Sequence, residues 1–466
     1  MKELLQHLFR RYRIWYYTLR PAYALILGYV CYIAVSFLLL CLPICWKVSD
    51  VPLIDTIFTA VSSVTTTGLQ TINFADTYNF LGQLIILLGI QIGGLGYMTL
   101  GSLVIMASKG HLPHNRLKIG KAVLTMPESF DPQRFFRHIA LFTLSIEALG
   151  AFVLWMFFWS AGIPNPLWAA IFHSVGAFCT AGISIFPNNL ESFSDNTGVS
   201  LTIALLALLG GIGFIVLDDL YRSIQMKSLR TTLTTRIILV STFGAIAVGT
   251  VFLFFDAGIA EFPLEKRILT AFFQTVAALT TSGYNTIPIS NLTAATLVIA
   301  MILMLLGASP SGTGGGLKST TWSAAIAAVK SFLRGDEEIT FFNYKVPHGR
   351  TTAAFASITL YTLVFFIGIY CLLLLEIETH GFECIVFEVV AALGTAGLSC
   401  GITPDLSAGG KVVIMVLMFV GRLGVVAFAL GAVALYHDIS QDLHIAHETH
   451  KPGELMPPVQ EEDIVL

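Results

Sequence analysis

One short phrase, written four times, constrains this chain more than anything else in it. It first reads Ser62-Ser63-Val64-Thr65-Thr66-Thr67-Gly68-Leu69. It returns as Ala177-Phe178-Cys179-Thr180-Ala181-Gly182-Ile183, as Leu279-Thr280-Thr281-Ser282-Gly283-Tyr284 and as Leu393-Gly394-Thr395-Ala396-Gly397-Leu398. Aligned on the glycine, the columns agree. Two before it stands Thr66, Thr180, Thr281 or Thr395, and one before it a small residue, Thr67, Ala181, Ser282 or Ala396. One after is apolar, and two after is polar (Gln70, Ser184, Asn285, Ser399). The glycines lie 114, 101 and 114 residues apart. An internal repeat on this scale sets the architecture before local propensity is consulted.

The solvent for that architecture follows from composition. Of 466 residues, 55% are hydrophobic and 12% charged, with a mean hydropathy of +0.78. Soluble domains carry about 25% charged residues, so this is a polytopic all-α membrane protein. A net charge of −3 says little, because the charges sit in loops. Seven cysteines form no CxxC pair and read as small hydrophobes, with a Cys384–Cys400 bridge left open. The basic start, residues 1–20, leads into an apolar run long enough to span, not into a cleavage site.

Each repeat reads as helix, half-helix, loop, helix. The expected units are 21–107, 135–224, 236–333 and 352–436, joined by loops at 108–134, 225–235 and 334–351 and followed by a tail at 437–466. That makes eight spans and four re-entrant half-helices around a pseudo-fourfold axis. Cations crowd the joining loops, with Lys109, Arg116, Lys118, Lys121, Arg222, Lys227, Arg230, Arg236, Lys330, Arg334, Lys345 and Arg350. By the positive-inside rule both termini face the cytoplasm and the glycine phrases open outward. In the tail, His444, His447 and His450 recur every third residue. That spacing drifts around a helix and reads as a solvated tail.

Non-helical backbone at membrane depth is tolerated where it is buried in protein or lines water. Four glycine loops about one axis would offer rings of carbonyl oxygens able to replace a cation's hydration shell; the plainer reading is four turns that let hairpins pack. Nine residues before each glycine a polar side chain stands in an apolar half-helix: Thr59, His173, Gln274 and Glu388. These read as braces behind the loops. The second helices carry an echo, Gly93-Gly94-Leu95-Gly96, Gly210-Gly211-Ile212-Gly213 and Gly421-Arg422-Leu423-Gly424. Glycine there allows close approach or a bend. Arg422 is costly at that depth and reads either as a barrier in a pore or as the partner of a buried acid such as Glu147. In the third repeat the echo becomes a break, Gly307 to Leu317, which includes Pro310, Ser311, Gly312, Thr313, Gly314, Gly315 and Gly316, with Lys318 next. No helix runs through it, because Gly costs about 1 kcal/mol and Pro about 3 in a helix interior. It reads as a gate below the loops. A phosphate-binding loop is the rival, but the Walker spacing is absent.

These features together resemble the Ktr/Trk/HKT superfamily of potassium transporters, and the length and eight-span plan look most like its KtrB-type membrane subunits. The resemblance covers about residues 20–436. It implies potassium uptake, often sodium-dependent, with potassium or sodium as transported or coupling ion and no cofactor or enzymatic activity. It implies a homodimer in the plasma membrane and a cytosolic nucleotide-binding RCK-type ring as partner, with no nucleic acid. Carried over by position, Gly68, Gly182, Gly283 and Gly397 would line a selectivity filter, Gly312 to Gly316 an intramembrane gate, and Arg422 a constriction. Pro310-Ser311 departs from the pattern in many relatives, which puts the loop's resting shape in question. The rival outside this family is a secondary transporter of a small organic solute. It would call for inverted repeats, whereas these four units enter from one side.

Overall fold

A computed structural model of the chain describes residues 21–108, 132–225, 231–336, 338–341 and 344–433. The basic start at 1–20, most of the first joining loop, and the tail with its three histidines lie outside them. The described chain is helical, apart from its loops and a hairpin pairing Thr340–Phe341 with Tyr344–Lys345.

Four times a long helix, a short helix, a glycine loop and a second helix follow one another. The long helices are Pro21–Leu40, Pro132–Ser160, Leu233–Phe254 and His348–Glu376. The short ones are Leu53–Val64, Pro166–Phe178, Leu264–Leu279 and Phe382–Leu393, and the second helices begin with Phe80–Ser108, Thr197–Ile212, Ala294–Leu306 and Ala408–Leu423. Pro52, Pro166, Pro263 and Gly381 stand where the short helices begin. Pro is tolerated at a helix start because the N–H it lacks would have no partner there.

Two helices that the sequence reads as continuous are bent. Thr197–Ile212 meets Phe214–Ser223 at 91°, and Ala408–Leu423 meets Val425–Val433 at 97°. The hinges are Gly213 and Gly424, with φ of 92° and 81°. A left-handed residue interrupts the hydrogen-bond ladder, and Gly adopts it at no steric cost. Ile139–Ser160, Leu233–Phe254 and Gly349–Glu376 are long and apolar enough to cross a membrane alone; counting each bent pair as one span gives up to five among the described residues.

Polarity is distributed inside out. Thr56, Thr59, Ser62, Ser63, Thr65, Thr66 and Thr67 are buried, while Phe243, Phe252, Leu363, Phe366 and Leu374 are exposed. That is the pattern of a chain whose surroundings are hydrocarbon. Each second helix packs on the short helix of the next repeat, and Ala408–Leu423 closes the cycle on Leu53–Val64. At this closure Lys411 Nζ meets Asp55 Oδ1 at 2.7 Å, both buried, beside an apolar contact set that includes Phe58, Val61, Ile414 and Leu417.

Removing one partner of a buried pair costs about 3–5 kcal/mol, because the other charge is left uncompensated. We therefore expect Lys411→Met to lower stability by that amount in chemical unfolding from detergent micelles. The double variant Lys411→Met with Asp55→Leu should recover most of the loss. Equal losses in the single and double variants would show that the cycle closes without the pair.

Candidate functional site

The four short helices end alike. The N–H groups of Thr66, Thr180, Thr281 and Thr395 donate to the carbonyls of Ser63, Ala177, Ala278 and Ala392 at 3.0–3.2 Å. Those of Thr67, Ala181, Ser282 and Ala396 reach back to Ser62, Gly176, Ala277 and Ala391 at 2.7–2.9 Å. This is the Schellman arrangement, which wants a left-handed residue just past the helix, usually Gly. Here that residue is Thr every time, with φ of 50°, 52°, 56° and 46°. A β-branched residue held there costs of order 1–3 kcal/mol and persists only where its surroundings over-determine it. Two residues on, Gly68, Gly182, Gly283 and Gly397 are left-handed again, with φ of 101°, 62°, 73° and 71°. Reversing handedness at every second residue turns successive carbonyls toward one side of a strand, where a β-strand would alternate them.

The loops meet in a closed ring. A Cβ built on Gly68 would lie 2.5 Å from Ala181 O, one on Gly182 2.7 Å from Ser282 O, and one on Gly283 2.6 Å from Ala396 O. A Cβ on Gly397 would collide with Thr67 O, which returns to the start. Each glycine is therefore pressed against the carbonyl that precedes the next glycine. Any side chain at these four positions would wedge two strands apart.

Polar side chains hold the strands from behind. The ring of His173 donates from Nδ1 to Ala169 O at 2.8 Å, leaving Nε2 to accept from Ser184 Oγ at 2.8 Å. Gln274 donates to Thr286 at 3.4 Å, and Glu388 accepts from Ser399 and from Thr403. Thr59 differs: its hydroxyl bonds Asp55 O in its own helix. Ser62 takes its place, donating to Leu69 O at 2.8 Å and accepting from Gly68 N at 3.1 Å. Ser62 is the first residue of the repeated phrase, but its role could not be read from the column. Tyr284 joins the third loop to the second through Ile183 O at 3.0 Å.

Below the ring lies the run from Gly307 to Lys318. The bend at Gly213 frees backbone groups from the helix ladder, and this run pairs with four of them. Gly210 O and Gly211 O accept from Thr313 N and Ser309 N at 3.0 Å. Phe214 N donates to Ser311 O, and Ile215 N to Ser311 Oγ, both at 3.2 Å. Ser311 itself is left-handed, with φ of 65°. The run also touches the repeated threonines. Gly315 N donates to Thr281 Oγ1 at 2.8 Å, and Thr180 Oγ1 to Thr313 Oγ1 at 3.3 Å. The hydroxyls of Thr66 and Thr395 are buried with no hydrogen-bond partner. A Cβ on Gly312, Gly314, Gly315 or Gly316 would strike neighbouring atoms, so the run fits only because it has no side chains there. Lys318, left-handed at φ 75°, donates back to Gly314 O at 2.5 Å.

Arg422 ties this run to the first repeat. Its guanidinium donates to Thr313 O, and to Gly93 O and Gly94 O at 2.7 and 3.3 Å. The acid considered as its partner, Glu147, instead accepts from Gln91 at 3.2 Å. Gly93, Gly210 and Gly421 let their helices touch the last carbonyls of the short helices, since a Cβ would collide with Val64 O, Phe178 O and Leu393 O. Cys384 and Cys400 are free thiols. Among the described residues no cluster of His, Cys, Asp and Glu could hold a metal.

Residues 33–440 match the family described as TrkH, cation transport protein. This chain belongs to the TrkH family. It is 32% identical over 418 residues to Ktr system potassium uptake protein B of Bacillus subtilis, covering 88% of this chain and 92% of that one. It is 31% identical to the protein of the same name from Vibrio alginolyticus, covering 84% and 87%, and 31% identical to the potassium/sodium uptake protein NtpJ of Enterococcus hirae, covering 81% and 85%. Its fold matches the crystal structure of the potassium transporter TrkH from Vibrio parahaemolyticus with a TM-score of 0.65 at 19% identity, over 86% and 84% of the two chains.

A hydrogen bond from a charged donor contributes about 1.5–3 kcal/mol. Arg422→Met should therefore raise amide hydrogen exchange across residues 309–316 by roughly ten- to a hundredfold. Unchanged protection there would mean that the guanidinium does not hold the run down.

Proposed function

We propose that this protein takes up potassium ions across the plasma membrane through a pore on the common axis of the four glycine loops. The observation that carries the reading is the closed ring, in which each of the four glycines abuts the next strand's carbonyl. The printed names of the relatives, potassium uptake proteins at 31–32% identity, support the choice of ion.

On this reading four units of two spans and one half-helix surround a pseudo-fourfold pore, giving eight spans with both termini in the cytoplasm. Thr66, Thr67 and Gly68, with their counterparts at 180–182, 281–283 and 395–397, form the selectivity filter. Their oxygens replace the hydration shell of the ion. Only one glycine stands in each strand, so discrimination against sodium is looser than a longer glycine-rich strand would give. His173, Gln274 and Glu388 brace the filter, and the short helices turn their negative C-terminal ends toward the axis. The run from Gly312 to Gly316, with Lys318 and Arg422, is the gate. Sodium stimulates or accompanies uptake, in keeping with the name of the potassium/sodium relative. A homodimer controlled by a cytosolic nucleotide-binding RCK-type ring completes the system.

The purified protein in liposomes should take up rubidium, with potassium and sodium competing and ammonium and proline weaker or inert. Gly68→Ser should lower the preference for rubidium over sodium; an unchanged preference would remove the filter assignment. Deleting Ser311 to Gly315 should raise flux without any cytosolic partner, and a deletion with wild-type flux would remove the gate.

A further inference from the structure

The ring is not fourfold in what covers it. On the side away from the glycine-rich run, the loop after the second phrase folds back over the strands and delivers Asn189. Its Nδ2 lies 3.3 Å from Gly182 O and 3.4 Å from Gly283 O. A primary amide has two N–H donors, enough for both glycine carbonyls. The second of these bonds joins residues 94 positions apart and reaches the neighbouring strand.

The loop is built to hold the residue there. Asn189 adopts a left-handed φ of 53°, a conformation that Asn tolerates better than most residues. Its own carbonyl lies 3.4 Å from Ser184 Oγ, whose proton goes to His173 Nε2. The next residue, Leu190, is fully buried and donates to Asn285 O at 3.1 Å. Since Ser184 is also held by His173, the brace behind the second strand continues over its top. The remaining atom of the carboxamide, Oδ1, is buried without a partner. No other repeat has an equivalent: seven residues after the other glycines stand Ala75, Ser290 and Pro404.

We propose that Asn189 is a specificity-determining residue of this pore, one that bridges the second and third strands and fixes the spacing of their glycine carbonyls at the outer ring. The inference rests on the reading of the ring as an ion path. Two carbonyls facing one another repel, and an amide nitrogen between them does what a cation would do. It keeps that side of the ring at a set width when no ion is present. A ring held wide disfavours the smaller sodium ion, which needs its ligands closer. Without the bridge, the Gly182 and Gly283 carbonyls are free to close around sodium.

The test uses the full-length protein in liposomes, with uptake of rubidium and of sodium measured separately. Asn189→Ala removes both donors. It should lower the rubidium-to-sodium ratio about tenfold, equivalent to ~1.4 kcal/mol of discrimination, while rubidium still enters. Asn189→Asp is nearly isosteric, so it keeps the packing of the loop but presents only acceptors to the two carbonyls. It should lower the same ratio and create a site at which external barium blocks rubidium uptake, a block weaker or absent in the wild type. A wild-type ratio in both variants, with no new barium block, overturns the role of Asn189 and leaves the potassium reading standing. Wild-type protein that moves no rubidium at all overturns both.

Discussion

Everything in this fold depends on four short helices that end inside the protein and still leave their backbone satisfied. In hydrocarbon an unpaired backbone group is too costly to tolerate, so a helix cannot end at depth unless something receives its last carbonyls. The Schellman bonds after Val64, Phe178, Leu279 and Leu393 perform that task and force the next residue left-handed. Gly would accept this without strain. Thr does not, yet it stands there four times, which is reason to look for what the hydroxyl does. The second helices complete the arrangement: Gly93, Gly210 and Gly421 bring bare backbone against the ends of the short helices, so the ring is held by contacts that leave no room for a side chain.

Repetition hides a division between the strands. The threonine hydroxyls of the second and third strands are engaged by the glycine-rich run, while those of the first and fourth are unpaired. Asn189 bridges the same second and third strands on the opposite side. One half of the ring is thus tied to the protein at both ends, and the other half keeps free oxygens. The break in the third repeat and the bend in the second are also one feature. The bend at Gly213 is stable because Ser309, Ser311 and Thr313 receive the groups it exposes. Neither would survive alone in a membrane.

Much of this was legible in the chain. The glycine phrase gave the repeat and its columns, and the Gly-Pro run announced its own break through helix propensity. The limits are as physical as the successes. The position nine before the glycine is polar in every repeat, but Thr59 is too short to reach past its own helix, and Ser62 braces that strand instead. Glycines that pack, such as Gly210, and glycines that bend, such as Gly213, look alike in sequence; only the sign of φ separates them. The partners of Arg422 were missed for a related reason. A buried cation suggests a search for an acid, yet it found backbone carbonyls, which no residue type advertises.

Those carbonyls bear on how a gate would work here. Arg422 donates at once to the run, through Thr313, and to the first repeat, through Gly93 and Gly94. If the run moves aside to open the path, Thr313 is withdrawn and part of the guanidinium loses its acceptor at a depth where no water replaces it cheaply. The charge must then move with the run or turn wholly toward the first repeat. Either way, opening the path and displacing a cation that would repel a passing ion would become a single event. Lys318, bonded to Gly314 O, stands at the end of the same run. A gate built from backbone and two positive side chains would therefore switch its steric and its electrostatic barrier together.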